Sequence, residues 1–369
     1  MSTIAFARGI PSPEILPTKE LADCARYVIE NDGETILNYG HPFGYLPLRE
    51  WLARDHGVTP DRIALTVGAL GGLNVLTRYL FTAGRDSDKT IVEAPTYDRT
   101  ILALQGVGAQ LEAVAVTDQG IDLDNLERLL ATEPAPRLLY MIPTFQNPSG
   151  RTHSEEERRA VIELAQARNV LVFEDDPYRL VRYEGDDEPS LFEIAKGKGV
   201  IFACSFSKSA APGLRVGYLI VPEDLVNPLK DALSTMYISP PMLPQAAIYE
   251  LMRRGNFEPT LQATRAALKA RRDAMLEALD RYMPEGTSWS RPEGGYFLWV
   301  DLPSGVKVDS LLERAQEAGV TFVKGTDFFI DGSGDESLRL AFSYPSVSEI
   351  HEGIERLGAL VHESKKAVT

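Results

Sequence analysis

One lysine lies in a segment whose neighbours could bind a phosphorylated aldehyde. Lys208 stands in the run Ser-Phe-Ser-Lys-Ser at 205–209, and Arg215 follows seven residues later. An amine must lose its proton to attack a carbonyl, and burial or nearby positive charge lowers a lysine pKa enough for that. Hydroxyls and a guanidinium together suit a phosphate. The segment therefore indicates a Schiff-base lysine for pyridoxal phosphate, although a serine-rich loop with a solvated lysine is the alternative.

Five predicted strands each end in a polar or glycine-rich segment. The apolar runs are 63–67, 90–93, 138–142, 170–173 and 200–204, with helical patterns between them. Continuous apolar strands between helices are typical of a mostly parallel sheet covered on both faces. Ligands bind beyond the carboxyl ends of such strands. We therefore expect the segments that follow, 68–72, 94–97, 143–150, 174–178 and 205–209, to form one catalytic crevice.

Several side chains in these segments could serve a pyridine cofactor, and each has an ordinary structural reading as well. The glycine-rich turn at 68–72 opens a helix, whose free amides favour phosphate, but it could be only a turn. A carboxylate such as Asp175 would keep a pyridine nitrogen protonated, or would be a solvated turn residue. Tyr178 could reach a ring oxygen and Tyr97 could stack on a ring, or both could be core aromatics. Asn147 could belong to a simple Asn-Pro-Ser-Gly turn.

Arg339 is unusual because it interrupts the apolar run Leu-Arg-Leu-Ala-Phe at 338–342. A buried guanidinium needs an anionic partner, since burying it unpaired is costly. A substrate carboxylate would meet that need, and an internal salt bridge is the alternative.

The composition narrows the classes of protein. The chain has 369 residues, 44% hydrophobic and 25% charged, with a net charge of −15 that disfavours nucleic acid and anionic membranes as partners. Two cysteines far apart and an N-terminus without an apolar core predict a cytoplasmic protein without disulfides. No apolar run reaches membrane-spanning length. The five histidines are scattered without metal-ligand spacing, so we predict no metal.

The remaining elements suggest a second, smaller α+β unit. A helix is expected over 154–168, where Ser-Glu-Glu-Glu forms a capping box. Long helical stretches over 243–283 are expected to be interrupted by Pro259. Strands at 296–301, 320–323 and 337–342 alternate with helices at 309–318 and 347–360. The length also favours two units of unequal size.

An ordered set of motifs makes the chain resemble a fold-type I pyridoxal-phosphate-dependent aminotransferase of class I/II. It is most similar to the branch that holds 2-aminoadipate and kynurenine aminotransferases and the MocR-type regulators. The motifs are Asn-Tyr-Gly at 38–40, Gly-Tyr-Leu-Pro-Leu-Arg at 44–49, Glu-Ala-Pro-Thr-Tyr at 93–97, 143–150, 174–178, 205–208 with Arg215, Pro-Glu-Gly-Gly-Tyr-Phe at 292–297, and Arg-Leu-Ala-Phe-Ser at 339–343. The match covers nearly the whole chain in order.

The resemblance implies roles for individual residues. Lys208 would hold the cofactor as a Schiff base and then act as general base and acid. Asp175 would pair with the pyridine nitrogen, and Tyr97 would stack on the ring. The ring hydroxyl oxygen would contact Asn147 and Tyr178, and Asn147 would also lie beside the substrate. The phosphate would be held by Ser205, Ser207, Arg215 and the amides of Gly68, Ala69 and Leu70.

The resemblance also implies how the substrate and a second subunit take part. Arg339 would bind the substrate α-carboxylate, and Gly9 and Ile10 would line the substrate mouth. Tyr39 would reach the phosphate region of the neighbouring subunit in a homodimer. The implied fold is α/β, a three-layer α/β/α large domain over 45–250 with a mostly parallel sheet, plus a smaller α+β domain from 1–44 and 251–369.

The function that the resemblance implies is transamination of an L-α-amino acid, in an enzyme without a DNA-binding module. One departure bears on it: family members often carry a hydroxyl and an amide side chain where this chain has Ala69 and Leu70. Other pyridoxal phosphate reactions remain open, namely β- or γ-elimination or replacement, or oxidation in a biosynthetic pathway. A MocR-like sensor domain without turnover is the alternative of another class. A nicotinamide dehydrogenase is disfavoured because no G-x-G-x-x-G is present.

Overall fold

The computed structural model describes residues 3–81 and 87–368. In that part of the chain the strands are β1 (Ile4–Ala5), β2 (Ile63–Thr66), β3 (Lys89–Ala94), β4 (Gln110–Thr117), β5 (Gly120–Ile121), β6 (Leu138–Met141), β7 (Leu171–Asp175), β8 (Val200–Ser205), β9 (Gly217–Ile220), β10 (Ser288–Trp289), β11 (Phe297–Asp301), β12 (Val320–Thr321), β13 (Val323–Lys324) and β14 (Ser337–Ala341). The helices are α1 (Thr18–Ile36), α2 (Leu46–Asp55), α3 (Gly68–Leu80), α4 (Asp98–Gly106), α5 (Leu123–Leu130), α6 (Glu155–Ala167), α7 (Leu191–Ile194), α8 (Val226–Tyr237), α9 (Met242–Arg253), α10 (Phe257–Tyr282), α11 (Val308–Glu317) and α12 (Val347–Val368).

Eight strands form the larger sheet, in the order β2-β9-β8-β7-β6-β3-β4-β5. The five strands β8, β7, β6, β3 and β4 pair in parallel. β9 runs antiparallel to both β2 and β8, and β5 runs antiparallel to β4. Because the five central strands are parallel, their carboxyl ends share one edge, as the polar segments predict.

The two faces of this sheet bury separate apolar cores. On β6, Leu139 and Met141 belong to one core, while Leu138 and Tyr140 belong to the core on the other face. This alternation follows from the two-residue period of a strand. Helices cover both cores, so the predicted three-layer α/β/α arrangement is confirmed.

A smaller antiparallel sheet has the order β10-β11-β14-β13, and β1 pairs in parallel with β12 beside it. Its core combines residues of α10, α11 and α12 with Ile4 and Phe6. The N-terminal segment is thereby tied to the C-terminal part of the chain. The predicted smaller α+β unit is confirmed, although Val28 and Ile36 of α1 pack in a core of the larger sheet.

Several predicted boundaries differ from the structure. Pro259 does not interrupt a helix, because it lies in the first turn of α10, where its missing N–H has no helical partner to lose. The break lies between Arg253 and Phe257, where Gly255 adopts φ +74°. The predicted strand 320–323 is divided between two sheets. The capping box of Ser154 and Glu157 at the start of α6 is confirmed.

In the ranges that the structure describes, no helix is long and apolar enough to cross a bilayer. The same ranges hold no group of three or more histidine, cysteine or acidic side chains able to bind a metal ion.

Candidate active site

The carboxyl edge of the larger sheet opens into a cavity of about 350 Å³. Both sheets contribute to it, since Arg339 and Phe297 come from the smaller sheet and Asp175 and Lys208 follow strands of the larger one. The predicted site residues that line it are Gly9, Ala69, Leu70, Tyr97, Asn147, Asp175, Tyr178, Ser205, Ser207, Lys208, Arg215 and Arg339. The structure therefore brings together residues that are up to 330 positions apart, from Gly9 to Arg339.

Lys208 follows β8 and presents its amine to the cavity. Its Nζ donates to the carbonyl oxygen of Gly9 at 2.6 Å and lies 5.0 Å from the centre of the Tyr296 ring. Removal from bulk water, together with the smaller effects of the Arg339 and Arg215 charges, lowers the pKa of this amine to about 8. The unprotonated fraction of the amine near neutral pH is therefore minor but far larger than for a lysine in water.

The backbone of Lys208 is also held from the smaller sheet. The hydroxyl of Tyr296, the residue before β11, donates to the carbonyl oxygen of Lys208 at 2.9 Å. Tyr296 is fully buried, so this hydrogen bond fixes the lysine segment to the unit that carries Arg339.

Asp175, the last residue of β7, is a buried carboxylate with one satisfied oxygen. Its Oδ2 accepts from the hydroxyl of Tyr140 at 2.6 Å, while Oδ1 is buried without a hydrogen-bond partner among the described residues. The pKa of this carboxyl is raised to about 7, chiefly by burial and also by the nearby charges of Asp176 and Glu93, while the hydrogen bond from Tyr140 opposes the rise. A positively charged N–H donor in the cavity would satisfy Oδ1 and hold the group ionised.

Arg339, on β14, is a buried cation without a carboxylate partner. Its Nη1 donates to Asn147 Oδ1 at 2.9 Å and its Nη2 to the carbonyl oxygen of Ala7 at 2.7 Å. No acidic side chain within residues 3–81 and 87–368 forms an ion pair with it, and its buried Nε has no partner there either. An anion such as a substrate carboxylate would supply the missing charge.

Two aromatic rings hold the Arg339 guanidinium in place. Its central carbon lies 4.1 Å from the ring centre of Phe297 and 5.0 Å from that of Phe328. Cation–π contacts of this kind fix the plane of the guanidinium fork and keep water away from it.

The opposite end of the cavity is built to hold an anion. Arg215 has a left-handed backbone, and its guanidinium donates to Ser207 Oγ at 3.3 Å and to the carbonyl oxygen of Val67 at 3.1 Å. Ser205 Oγ donates to Ser207 Oγ at 2.9 Å. The free amides of the first turn of α3 begin at Gly68, where φ is +74° and an added Cβ would lie 2.6 Å from Arg215 Nη2. Amides, hydroxyls and a guanidinium together suit a phosphate.

Tyr97 and Tyr178 form aromatic walls of the cavity. Tyr97 is the residue before α4, and its half-buried ring lines the cavity. Tyr178 is buried, with its ring centre 5.8 Å from that of Tyr296 and 5.9 Å from that of Phe297. Burial raises the pKa of the Tyr178 hydroxyl well above its usual value, so the hydroxyl stays protonated and can donate.

Three predicted residues lie outside the cavity. Tyr39 is on the surface, with 78% of the residue exposed. Ile10 does not line the cavity, and its carbonyl oxygen accepts a hydrogen bond from Ser343 Oγ at 2.8 Å. Gly68 does not line the cavity itself but lies directly behind Arg215.

The sequence reasoning missed several residues that shape the site. Tyr140, Phe328, Asp98 and Arg99 were not singled out, and Tyr296 and Phe297 stood only within a motif. One signal was readable for Tyr140: a tyrosine in a strand buried on both faces must find a hydrogen-bond partner for its hydroxyl.

These features fit pyridoxal phosphate. The unpartnered Asp175 Oδ1 suits a protonated ring nitrogen, and the amine of Lys208 suits the aldehyde. The Arg215 guanidinium and the Ser205 and Ser207 hydroxyls, which line the cavity, suit the phosphate. Ala69 and Leu70 offer only backbone groups to that phosphate.

Comparisons with known proteins identify the family of this chain. The model of the family "Aminotransferase class I and II" matches residues 9–357. A 2-aminoadipate transaminase from Thermus thermophilus is 36% identical over 358 residues, which are 96% of this chain and 89% of the relative. The crystal structure of an α-aminoadipate aminotransferase from the same species, complexed with N-(5'-phosphopyridoxyl)-L-leucine, superposes with a TM-score of 0.93 at 36% identity, covering 99% of this chain and 94% of the other. A Pyrococcus horikoshii kynurenine aminotransferase gives 0.92 at 33% identity, with 98% and 91% covered.

Proposed function

We propose that Lys208 is the catalytic amine of this chain, which belongs to the class I and II aminotransferases. The protein is a pyridoxal-phosphate-dependent aminotransferase that acts on amino acids. The observation that carries the assignment of Lys208 is the lowered pKa of its amine in a cavity that also holds Arg339, a buried guanidinium without a carboxylate partner.

Pyridoxal phosphate, when bound, supplies an aldehyde that accepts an amino group and a pyridinium ring that withdraws electrons from it. We assign its ring nitrogen to Asp175 and its ring hydroxyl to Asn147 and Tyr178. Tyr97 would cover a face of the cofactor ring. Arg215, Ser205, Ser207 and the amides of Gly68, Ala69 and Leu70 would hold the cofactor phosphate.

Arg339 and Lys208 divide the work on the amino acid. Arg339 binds the α-carboxylate with its planar fork, and Asn147 Oδ1 fixes that fork by accepting from Nη1. Lys208 Nζ would remove the proton from the α carbon and deliver it to the cofactor carbon that carried the aldehyde oxygen, so that hydrolysis releases a keto acid and leaves the amino group on the cofactor. An amine with a pKa of about 8 suits this proton transfer near neutral pH.

The substrate side chain extends toward Ala7, Gly9 and the first turn of α4. Asp98 and Arg99 line the cavity there, with Arg99 Nε 3.4 Å from Asp98 Oδ2. Relatives named for 2-aminoadipate and kynurenine act on side chains that end in a carboxylate or an aromatic ketone. Amino acids of these two kinds are therefore the substrates that we propose.

We further propose a homodimer in which Tyr39 reaches the site of the second subunit. Leu37, Tyr39 and Ile238 are exposed by 67%, 78% and 51%, and Gly40 N donates to Ser239 Oγ at 3.0 Å, which brings the 37–40 and 238–239 segments together. An apolar surface of this kind is typical of a subunit interface.

We also propose that the chain divides into a large domain over 45–250 and a small domain formed by 1–44 and 251–369. The packing of Ile4 and Phe6 with the smaller sheet supports it.

The test is a half-reaction without a keto acid. The purified protein, loaded with pyridoxal phosphate, is mixed with single amino acids that carry acidic, aromatic, aliphatic or basic side chains. Transamination predicts one equivalent of pyridoxamine phosphate and of keto acid per site, measured by chromatography. Lys208→Ala is the control and should yield neither at a comparable rate, with a loss of about 10²- to 10⁴-fold or more.

Other outcomes of that experiment would contradict the proposal. An eliminated group or a new bond on the amino acid, without pyridoxamine phosphate, would identify a different reaction on the same scaffold. Cofactor binding without any product would identify a sensor. A borohydride-reduced adduct on a peptide that lacks Lys208 would overturn the assignment of the amine.

A further inference from the structure

Tyr140 lies directly beneath the cavity, and no sequence motif marks it. It belongs to β6, is fully buried, and stacks on Phe173 of β7 with ring centres 5.9 Å apart and planes 17° apart. Its hydroxyl donates across the two strands to Asp175 Oδ2 at 2.6 Å. The ring is therefore fixed by packing, and its hydroxyl has a single buried acceptor that lines the cavity.

The hydrogen bond from Tyr140 divides the two oxygens of Asp175 between two tasks. Oδ2 is held by the tyrosine, whereas Oδ1 has no partner in the part of the chain that the structure describes. A carboxylate free to rotate could offer either oxygen to a ligand. With Oδ2 held, only Oδ1 is available, and the plane of the group is set before a ligand arrives.

Two neighbouring acids oppose ionisation of Asp175, so the hydrogen bond from Tyr140 has to offset their effect. Glu93 and Asp176 are buried close by, and both disfavour a negative charge on Asp175. Both carboxyl oxygens of Glu93 have hydrogen-bond partners of their own. Oε1 lies 2.8 Å from His153 Nε2, and Oε2 accepts from the amide of Ile142 at 2.8 Å. Those partners do not reach Asp175, so the Tyr140 hydroxyl is the group that favours the ionised form of Asp175.

We propose that Tyr140 is a positioning residue, whose hydroxyl holds Asp175 Oδ2 and leaves Oδ1 ready to accept from the protonated ring nitrogen of the cofactor. The inference rests on the proposed role of Asp175. It adds a residue that touches neither cofactor nor substrate, and it predicts that loss of one hydroxyl weakens the hold on the ring nitrogen alone.

The test measures the dissociation constant of pyridoxal phosphate for the cofactor-stripped full chain, by absorbance or fluorescence titration. We expect Tyr140→Phe to weaken binding by about 10- to 100-fold, as for loss of a hydrogen bond to a charged group. In the Asp175→Asn background, Tyr140→Phe should have little further effect, because the two residues act through one contact.

Tyr218→Phe is the matched control. Tyr218 is also buried in the larger sheet, and its hydroxyl lies 2.9 Å from His56 Nε2, outside the cavity. Its loss should change protein stability without changing the dissociation constant of the cofactor. If Tyr140→Phe does not fold, Tyr140→Met, which fills a similar volume without a hydroxyl, takes its place.

A cofactor analogue with carbon in place of the ring nitrogen separates positioning from simple packing. The ratio of dissociation constants between Tyr140→Phe and wild type should fall to near one for this analogue. The pH dependence gives a second readout. Without the Tyr140 hydrogen bond the Asp175 pKa rises, so affinity for pyridoxal phosphate should be lost at a higher pH on the acid side.

Two kinds of failure can be told apart. If Asp175→Asn binds pyridoxal phosphate as tightly as wild type, the proposed role of Asp175 fails. The role of Tyr140 fails, while that of Asp175 stands, if Asp175→Asn weakens binding of pyridoxal phosphate but Tyr140→Phe leaves it unchanged. The same conclusion follows if Tyr140→Phe weakens binding of the nitrogen-free analogue as much as binding of pyridoxal phosphate.

Discussion

Lys208 and Arg339 are two cations that share one cavity, and the charge of Arg339 affects the protonation of Lys208. The guanidinium charge lowers the pKa of the Lys208 amine, in addition to the larger effect of removal from water. The guanidinium in turn is held by neutral acceptors and aromatic rings rather than by an acid. The site therefore retains uncompensated positive charge for an anionic substrate.

Arg339→Leu should shift the pH dependence of cofactor attachment. The fraction of unprotonated Lys208 amine rises with pH through its pKa of about 8, and removal of the Arg339 charge raises that pKa. We expect the midpoint for covalent attachment of pyridoxal phosphate, trapped with borohydride at a series of pH values, to move upward. Exposed Arg128 is the control, and Arg128→Leu should leave the midpoint unchanged. An unmoved midpoint in Arg339→Leu would contradict the electrostatic coupling.

Arg339→Lys should lower kcat/KM selectively for substrates that carry an α-carboxylate. An ammonium keeps the charge but cannot form the two parallel hydrogen bonds of a guanidinium fork. We expect kcat/KM for an amino acid to fall by about 100-fold or more, as for loss of a buried charged hydrogen bond. A primary amine with the same side chain but no carboxylate serves as the control, and its slow reaction should be little changed. Equal losses for both compounds would show that Arg339 does not bind the carboxylate.

Chemical type and position in the chain made Lys208, Asp175 and Arg339 candidates, because an amine, a strand-end carboxylate and a guanidinium in an apolar strand each need an explanation. The family resemblance supplied their expected roles, and the structure places all three in one cavity. The partners that position them were not predictable in the same way. Tyr140 meets Asp175 across 35 positions and Tyr296 meets Lys208 across 88. Such pairs depend on how strands and sheets are placed side by side, which no local pattern specifies.

The first turn of α3 shows how a secondary-structure element can determine the shape of a binding site. The helix begins at Gly68, the first residue of the predicted glycine-rich turn, because glycine can adopt the positive φ found there. This start places the free amides of the helix near Arg215 and so near the proposed phosphate site.

Gly68→Ala should therefore weaken cofactor binding. The new Cβ would lie 2.6 Å from Arg215 Nη2, and a φ of +74° costs an alanine about 1–2 kcal/mol. We expect a higher dissociation constant for pyridoxal phosphate and a lower melting temperature of the cofactor-free protein. Gly213→Ala is the control on the Arg215 loop, since a Cβ there meets nothing within 4 Å. Wild-type affinity in Gly68→Ala would show that Arg215 does not hold the phosphate.

The strands of the larger sheet were predictable because short apolar runs of four or five residues, bounded by turn residues, favour buried strands. The residues at which these strands end were harder to predict. β7 extends through Glu174 and Asp175, since ladder hydrogen bonds continue past the apolar residues. The direction of β9, antiparallel to both its neighbours, also depends on the path of the chain between strands rather than on composition.

For the molecule as a whole, the proposed dimer predicts that two inactive variants restore each other. In Lys208→Ala every site lacks the amine, and in Tyr39→Ala every site lacks the tyrosine of the neighbouring subunit. Unfolding and refolding a mixture should give mixed dimers in which one of two sites is complete, so activity should recover to about one quarter of wild type. Each variant refolded alone is the control. No recovery, with dimers present by light scattering, would show that Tyr39 serves its own subunit or none.

The N-terminal segment keeps both cations engaged before any ligand enters. The carbonyl oxygen of Ala7 accepts from Arg339 and that of Gly9 from Lys208, while β1 is anchored to β12. The backbone thus acts as an intramolecular competitor, and an incoming molecule must displace it. Weakening the anchor of β1 would lower that competitor's local concentration. Tighter ligand affinity could therefore be engineered far from the reacting atoms.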